Sequence, residues 1–231
     1  MKICGLQKTT LLDYPGHVAA TVFLGQCNFR CPFCHNSDLI TEQAEALFSK
    51  EELLTFLKKR TSLLEGVCIT GGEPTLSPDL EALVSDIKKL GFLVKLDTNG
   101  YRPSVIRNLC QKNLLDYIAM DIKSSPENYG TVTGIPGIRL SPIMESVEFI
   151  KTCGIPYEFR TTAVKGLMGA EDFSAIGQWL HGAEHYFIQN YVESPQVLSP
   201  GFSPFRKEEL LAFAELVRPH VKYVSLRGVD Y

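Results

Sequence analysis

No run of the sequence approaches the roughly 18 consecutive apolar residues that a membrane-spanning helix requires. Basic residues number 23 against 26 acidic ones, a net charge of −3, so there is no basic excess of the kind that marks a nucleic-acid or membrane surface. Residues 1–6 lack the continuous apolar core of a secretory leader, and the chain is expected to carry none. A disulfide framework is also missing: the seven cysteines are odd in number, and three of them crowd into one loop. Together these absences point to a reducing, cytoplasmic setting with neither nucleic acid nor membrane as partner. The length suits one α/β domain over 1–231 with a sizeable core.

What the chain does contain is Cys27, Cys31 and Cys34, spaced C-x3-C-x2-C, just after the apolar run 18–24. Cysteines this close cannot all face the core of one helix or strand, but a loop over 25–36 can wrap them around a metal. With His35 as a fourth ligand they could hold a structural zinc. They could equally hold three irons of a [4Fe–4S] cubane and leave the fourth iron open. The lack of a fourth cysteine nearby favours the open site. Cys4, Cys68, Cys110 and Cys153 are scattered and read as small buried hydrophobes.

Residues 1–17 read as an irregular lead-in with a turn at Asp13, Tyr14, Pro15 and Gly16. Strands are expected at 18–24, 67–70, 92–96, 117–120, 157–163 and 186–188, with a short final strand near 221–226. Helices fall between them. Ser49 and Glu52 form a capping box for a helix to about residue 60, and Ser77 with Pro78 opens another to about 90. The stretch 124–140, rich in Ser, Pro, Gly and Thr, reads as a long loop of the kind that carries function. Strand and helix alternate about six times, which predicts a parallel sheet with crossover helices. Polar clusters recur just after the strands, where α/β barrels carry their active sites. Eight units would need more chain, so an incomplete (βα)6 TIM-like barrel, six-stranded and open on one side, is expected.

The cysteine loop after the first of these strands and Gly71, Gly72, Glu73 and Pro74 after the second closely resemble the radical S-adenosylmethionine (SAM) superfamily. That resemblance implies the radical SAM fold, a [4Fe–4S] cluster on Cys27, Cys31 and Cys34, and SAM chelated to its open iron. Reductive cleavage of SAM then gives a 5′-deoxyadenosyl radical that abstracts hydrogen. It further implies that Phe33 packs near the adenine and that Gly71, Gly72 and Glu73 bind the methionine ammonium through backbone carbonyls and a carboxylate.

Asp13 to Gly16, Cys34 with His35 and Asn36, Asp97 with Thr98, Asn99 and Gly100, Asp121 with Lys123, and Arg160 narrow the resemblance to the glycyl-radical enzyme activases. In that group the residue matching Lys123 pairs with the SAM carboxylate and the one matching Arg160 lies close to SAM. Those matching Asp97 and Asp121 help hold a monovalent cation, and Thr98 and Asn99 join the cofactor site. Asp13, Tyr14 and Gly16 are expected at the open rim, in contact with the partner's glycine loop. The subgroup most similar overall, including residues 224–229, is the anaerobic ribonucleoside-triphosphate reductase activating proteins. The resemblance therefore implies an anaerobic ribonucleotide reductase as partner and a flavodoxin- or ferredoxin-type electron donor, with no side chain needed as acid or base.

Pyruvate formate-lyase-type activation and a small-molecule enzyme such as a deazapurine carboxylate synthase are the alternatives. Two departures stand out. Asn190, Tyr191 and Val192 occupy the place of a histidine found in pyruvate formate-lyase activating enzyme, so its contact to SAM is absent or taken over by Gln189 or Asn190. No insert with extra cysteines lies between Cys34 and Glu51, against auxiliary clusters.

Overall fold

The computed structural model describes residues 1–40 and 44–229. Among them eight strands form one sheet whose spatial order follows the sequence. β1 (Ile3–Thr10) runs antiparallel to β2 (Ala19–Leu24). From β2 onward every neighbour is parallel, through β3 (Gly66–Gly71), β4 (Leu93–Thr98), β5 (Tyr117–Asp121), β6 (Tyr157–Ala163), β7 (His185–Asn190) and β8 (Tyr223–Arg227). The crossovers are made by α1 (Lys50–Lys58), α2 (Leu80–Lys89), α3 (Pro103–Gln111), α4 (Tyr129–Thr133) with α5 (Ser141–Thr152), α6 (Ala170–Trp179) and α7 (Lys207–Val217). Six strand–helix units are present, as the alternation predicts, and β8 adds a seventh parallel strand. β1 and β8 are the sheet's two edges and do not pair, which leaves the barrel open.

The lead-in is not irregular. Its first half is β1, which covers the edge that β2 would otherwise leave bare. Side chains alternate across each strand. One face, with Val94, Leu96, Ile118, Met120 and Phe159, is fully buried beneath the helices. The other lines the barrel interior and carries Thr21, Cys68, Lys95, Asp97, Asp121, Glu158 and Arg160. α2 shows how the layer is held: Leu80, Leu83, Val84 and Ile87 recur at helical spacing and are all buried, each contributing about 1.5–3 kcal/mol of apolar transfer.

The capping box of α1 forms as expected. Glu52 N–H donates to Ser49 Oγ at 3.1 Å, and Ser49 N–H donates to Glu52 Oε2 at 2.8 Å. α2 begins later than Pro78 suggests, at Leu80, because Pro74 first starts a 3-10 turn, Pro74–Leu76. Ser77 does not cap: its hydroxyl is buried without a hydrogen-bond partner, and its carbonyl accepts from Leu80 N–H at 3.2 Å. The stretch 124–140 is not all loop, since it holds α4. Gly134, left-handed at φ +66°, ends that helix against the backbone of Arg30, so this segment braces the cysteine loop.

Candidate active site

The cysteine loop leaves β2 at Gly25 and turns sharply at Gln26, whose φ of +76° lies in the left-handed region that non-glycine residues avoid. Backbone hydrogen bonds hold this costly turn. Gln26 N–H donates to Leu39 O at 2.6 Å, and Gln26 O accepts from Glu73 N–H at 2.7 Å. The loop is clamped from three sides. Gly72 lies so close beneath it that a Cβ there would collide with Gln26 O. Arg30 N–H donates to Thr133 O of α4 at 2.8 Å. Residues 192–199 close over the third side, with Leu198 N–H on Cys34 O at 3.2 Å and Ser199 N–H on Pro32 O at 2.8 Å.

Cys27, Cys31 and Cys34 thereby line one cleft at the carboxyl ends of the strands, a cavity of about 200 Å³ that opens to solvent. Phe33, Gly71, Gly72, Glu73, Asp97, Thr98, Asn99, Asp121 and Lys123 line the same cleft, so the structure gathers sites separated by nearly a hundred residues. Burial pushes the Cys31 thiol up to about 12 and the Cys27 thiol up to about 11, with Lys123 pulling both down. Neither ionises readily alone; a positively charged metal centre is what would draw the proton off.

His35 lines the same cleft; its Nε2 meets the Val192 carbonyl and its ring stacks on Tyr191 at 5.5 Å. Asn190, proposed as a stand-in for the family's histidine, instead holds Phe205 through two backbone hydrogen bonds of 2.9 and 3.1 Å.

Glu73 is 1% exposed and accepts from Thr98 Oγ1 at 2.7 Å, Asn99 N–H at 2.6 Å and Thr75 N–H at 3.1 Å. All of these donors are neutral, and among the described residues no Lys, Arg or His forms an ion pair with it. Burial accordingly raises its carboxyl above the usual range, the hydrogen bonds only partly offsetting this. A buried carboxylate short of positive charge at a cleft wall suits an incoming ammonium group.

Across the cleft the balance is reversed. Lys123 Nζ donates to Asp121 Oδ2 at 2.9 Å. Arg160 is not in the cleft lining; it lies beneath, with Nη2 2.9 Å from Asp121 Oδ1 and Nη1 3.3 Å from Asp97 Oδ2. Burial alone would raise both carboxyls, but Arg160, aided by Lys95 at Asp97 and Lys123 at Asp121, holds them below the usual range. The expected monovalent cation therefore finds its two carboxylates already occupied by side-chain cations, and the residues do not fit it.

Asp13, Tyr14 and Gly16 are at the opposite end of the strands, not at the rim of the cleft. Tyr14 is 2% exposed, packs on Gly66 at the start of β3, and sits 6.0 Å from the ring of Tyr117 at the start of β5. Asp13 accepts from Thr21 Oγ1. Burial of an aromatic ring beneath the sheet outweighs its exposure on a turn. Gly16 remains exposed.

Three residues escaped the sequence reading: Lys95, Glu158 and Arg227. Arg227 grips Glu158 through two bonds, at 2.8 and 2.7 Å, and so ties β8 to β6. Lys95 left one signal, a charged residue inside an apolar strand, two positions from Asp97 and so on its face.

The profile of the radical SAM superfamily matches residues 21–175. A Methanocaldococcus jannaschii protein named as a glycyl-radical enzyme activating enzyme is 30% identical, the alignment covering 99% of this chain and 96% of that one. A Thermococcus kodakarensis protein named as a GTP 3′,8-cyclase is 31% identical over 65% of this chain and 49% of its own. Among solved structures, Streptococcus suis SuiB bound to S-adenosylmethionine superposes with a TM-score of 0.70 at 14% identity, covering 91% of this chain and about half, 52%, of SuiB.

Proposed function

The chain belongs to the radical SAM superfamily, and from that premise we propose that it installs a glycyl radical on a partner enzyme, an anaerobic ribonucleoside-triphosphate reductase, using electrons from a flavodoxin- or ferredoxin-type donor. The observation that carries this is the single cleft in which three cysteines face a buried carboxylate lacking a cation on one wall and a lysine on the other. A SAM molecule offers the matching groups, an ammonium and a carboxylate on one carbon.

A [4Fe–4S] cluster with SAM supplies the chemistry when bound, one-electron cleavage of a carbon–sulfur bond coupled to hydrogen abstraction. The chain's own residues bind and orient. Cys27, Cys31 and Cys34 would hold three irons and leave the fourth to the ligand. Glu73 and the carbonyls of Gly71 and Gly72 would face the ammonium, Lys123 the carboxylate, and Phe33 the adenine. Thr98 and Asn99 serve by fixing Glu73. No proton transfer is required of any side chain, so the protein's part is placement and exclusion of water. A flexible glycine loop is a fitting substrate for a barrel left open between β1 and β8, and the near-full-length relative is named as an activating enzyme, whereas the named GTP cyclase aligns over half its length.

The test is anaerobic. The protein is reconstituted with iron and sulfide, reduced, and its electron paramagnetic resonance spectrum recorded with and without SAM, for wild type and Cys31→Ala. Wild type should give a cluster signal that changes with SAM, release 5′-deoxyadenosine, and raise a glycyl doublet in an anaerobic reductase; Cys31→Ala should give none of these. Colourless, iron-free wild-type protein would overturn the cluster; a SAM response without a doublet in any glycyl-radical enzyme would overturn the activase.

A further inference from the structure

We propose that Lys95 and Arg160 are built-in counter-cations for Asp97 and Asp121, so that the ligand's carboxylate is received without a monovalent metal ion. The proposal deepens, and rests on, the reading of the cleft as a SAM site.

Three observations converge. First, Lys95 is 1% exposed, and its ammonium is enclosed by the Asp97 carboxylate, the Cys68 sulfur at 3.8 Å and the face of Tyr117 at 5.9 Å. The Lys95–Asp97 ion pair is enclosed by protein on every side named, so Asp97 already has a side-chain cation beside it. Residues 95 and 97 share a strand face, which makes the pairing a consequence of the β4 pleat.

Second, Arg160 stands directly opposite Asp121 in the β5–β6 register and reaches past it to Asp97. Its planar fork fills the space between the two carboxylates, where a metal ion bridging them would have to sit. An ion entering there would displace the guanidinium and meet the Lys95 and Lys123 ammoniums as like charges.

Third, the network already holds a cation for every carboxylate in it. Lys95, Lys123, Arg160 and Arg227 form ion pairs with Asp97, Asp121 and Glu158, so no paired carboxylate is left for a metal ion to neutralise.

The experiment compares potassium, sodium and tetramethylammonium chlorides at equal ionic strength, the last too large to enter. The ligand-free wild-type protein should melt within about 1 °C in all three. SAM affinity of the reconstituted protein should agree within about twofold. Lys95→Met, with Asp97 left to Arg160 alone, should melt several degrees higher in potassium than in tetramethylammonium. It should also bind SAM roughly tenfold more tightly there. A wild-type melting point several degrees higher in potassium, or SAM binding tenfold weaker in tetramethylammonium, would overturn the proposal, and both measurements stand even if Lys95→Met fails to fold. Absence of SAM binding in every salt would remove the SAM reading, while the ligand-free melts would still decide the cation question.

Discussion

The backbone N–H of Asn99 donates a 2.6 Å hydrogen bond to Oε2 of Glu73, joining the loop after β4 to the loop after β3. With Thr98 Oγ1 on the other carboxylate oxygen, one buried side chain sets the spacing of two walls of the cleft. Glu73 is therefore both a brace and a charge. The brace uses neutral donors, and the charge is left for whatever enters.

Glu73→Gln separates these roles. The amide replaces one acceptor by a donor facing Asn99 N–H or Thr98, so stability should fall by about 1–3 kcal/mol. The lost charge should weaken SAM binding at least ~10-fold beyond that structural cost. Thermal melts and calorimetric titration of the reconstituted protein check the two losses separately. Undiminished SAM affinity would remove Glu73 from ammonium recognition.

Asp121→Asn carries a pH signature. Asp121 has a carboxyl held below its unfolded value, so its contribution is fully present above an unfolded pKa of about 3.9 and is lost as pH falls through the folded one. At pH 7 the variant should lose roughly 2–3 kcal/mol, the low side for a broken buried pair because Asp121 keeps 29% exposure. Denaturant unfolding of both proteins should show a gap that is constant above about pH 5 and narrows below about pH 4. A gap that widened in acid would reverse the sign assigned here.

Gly72→Ala tests the close approach of the loops. The added Cβ meets Gln26 O, the same oxygen that accepts from Glu73 N–H, so the cysteine loop must lift. A cost of about 1–3 kcal/mol is expected, with reduced iron retention after desalting. Iron content equal to wild type would mean that the loop adapts without disturbing the thiols.

Glu158→Ala should unfasten β8. Glu158 is 1% exposed and holds Arg227 through both oxygens, but Arg227 keeps 33% exposure, so the loss should be roughly 2–3 kcal/mol, below that of a fully buried pair. Hydrogen exchange should locate the effect at 223–227, with the residues of β3 and β4 still protected. Uniform loss of protection would instead make the pair part of the global core.

Much of the site was legible because its information is local. The spacing of Cys27, Cys31 and Cys34 limits what a loop can hold, the glycines at 71 and 72 announce close backbone approach, and Ser49 with Glu52 marks a helix start. β1 was hidden, since an edge strand with bulges and three successive exposed residues, Gln7, Lys8 and Thr9, has no clear alternation. Tyr14 was misplaced because nothing in a turn motif says which end of a sheet it will plug.

By itself the sequence determined the alternation of strand and helix, the ends of the strands at which polar residues gather, and the chemistry of the cysteine loop. These follow from side-chain periodicity and short-range spacing, which neighbouring residues enforce on one another. Only the tertiary structure decided which charges neutralise which. Asp97 and Asp121 read as open cation ligands along the chain, yet Arg160 stands 63 and 39 residues away from them and occupies the space between. Such pairings depend on strand register and barrel curvature, because an ion pair is fixed by distance in space and sequence separation does not encode it.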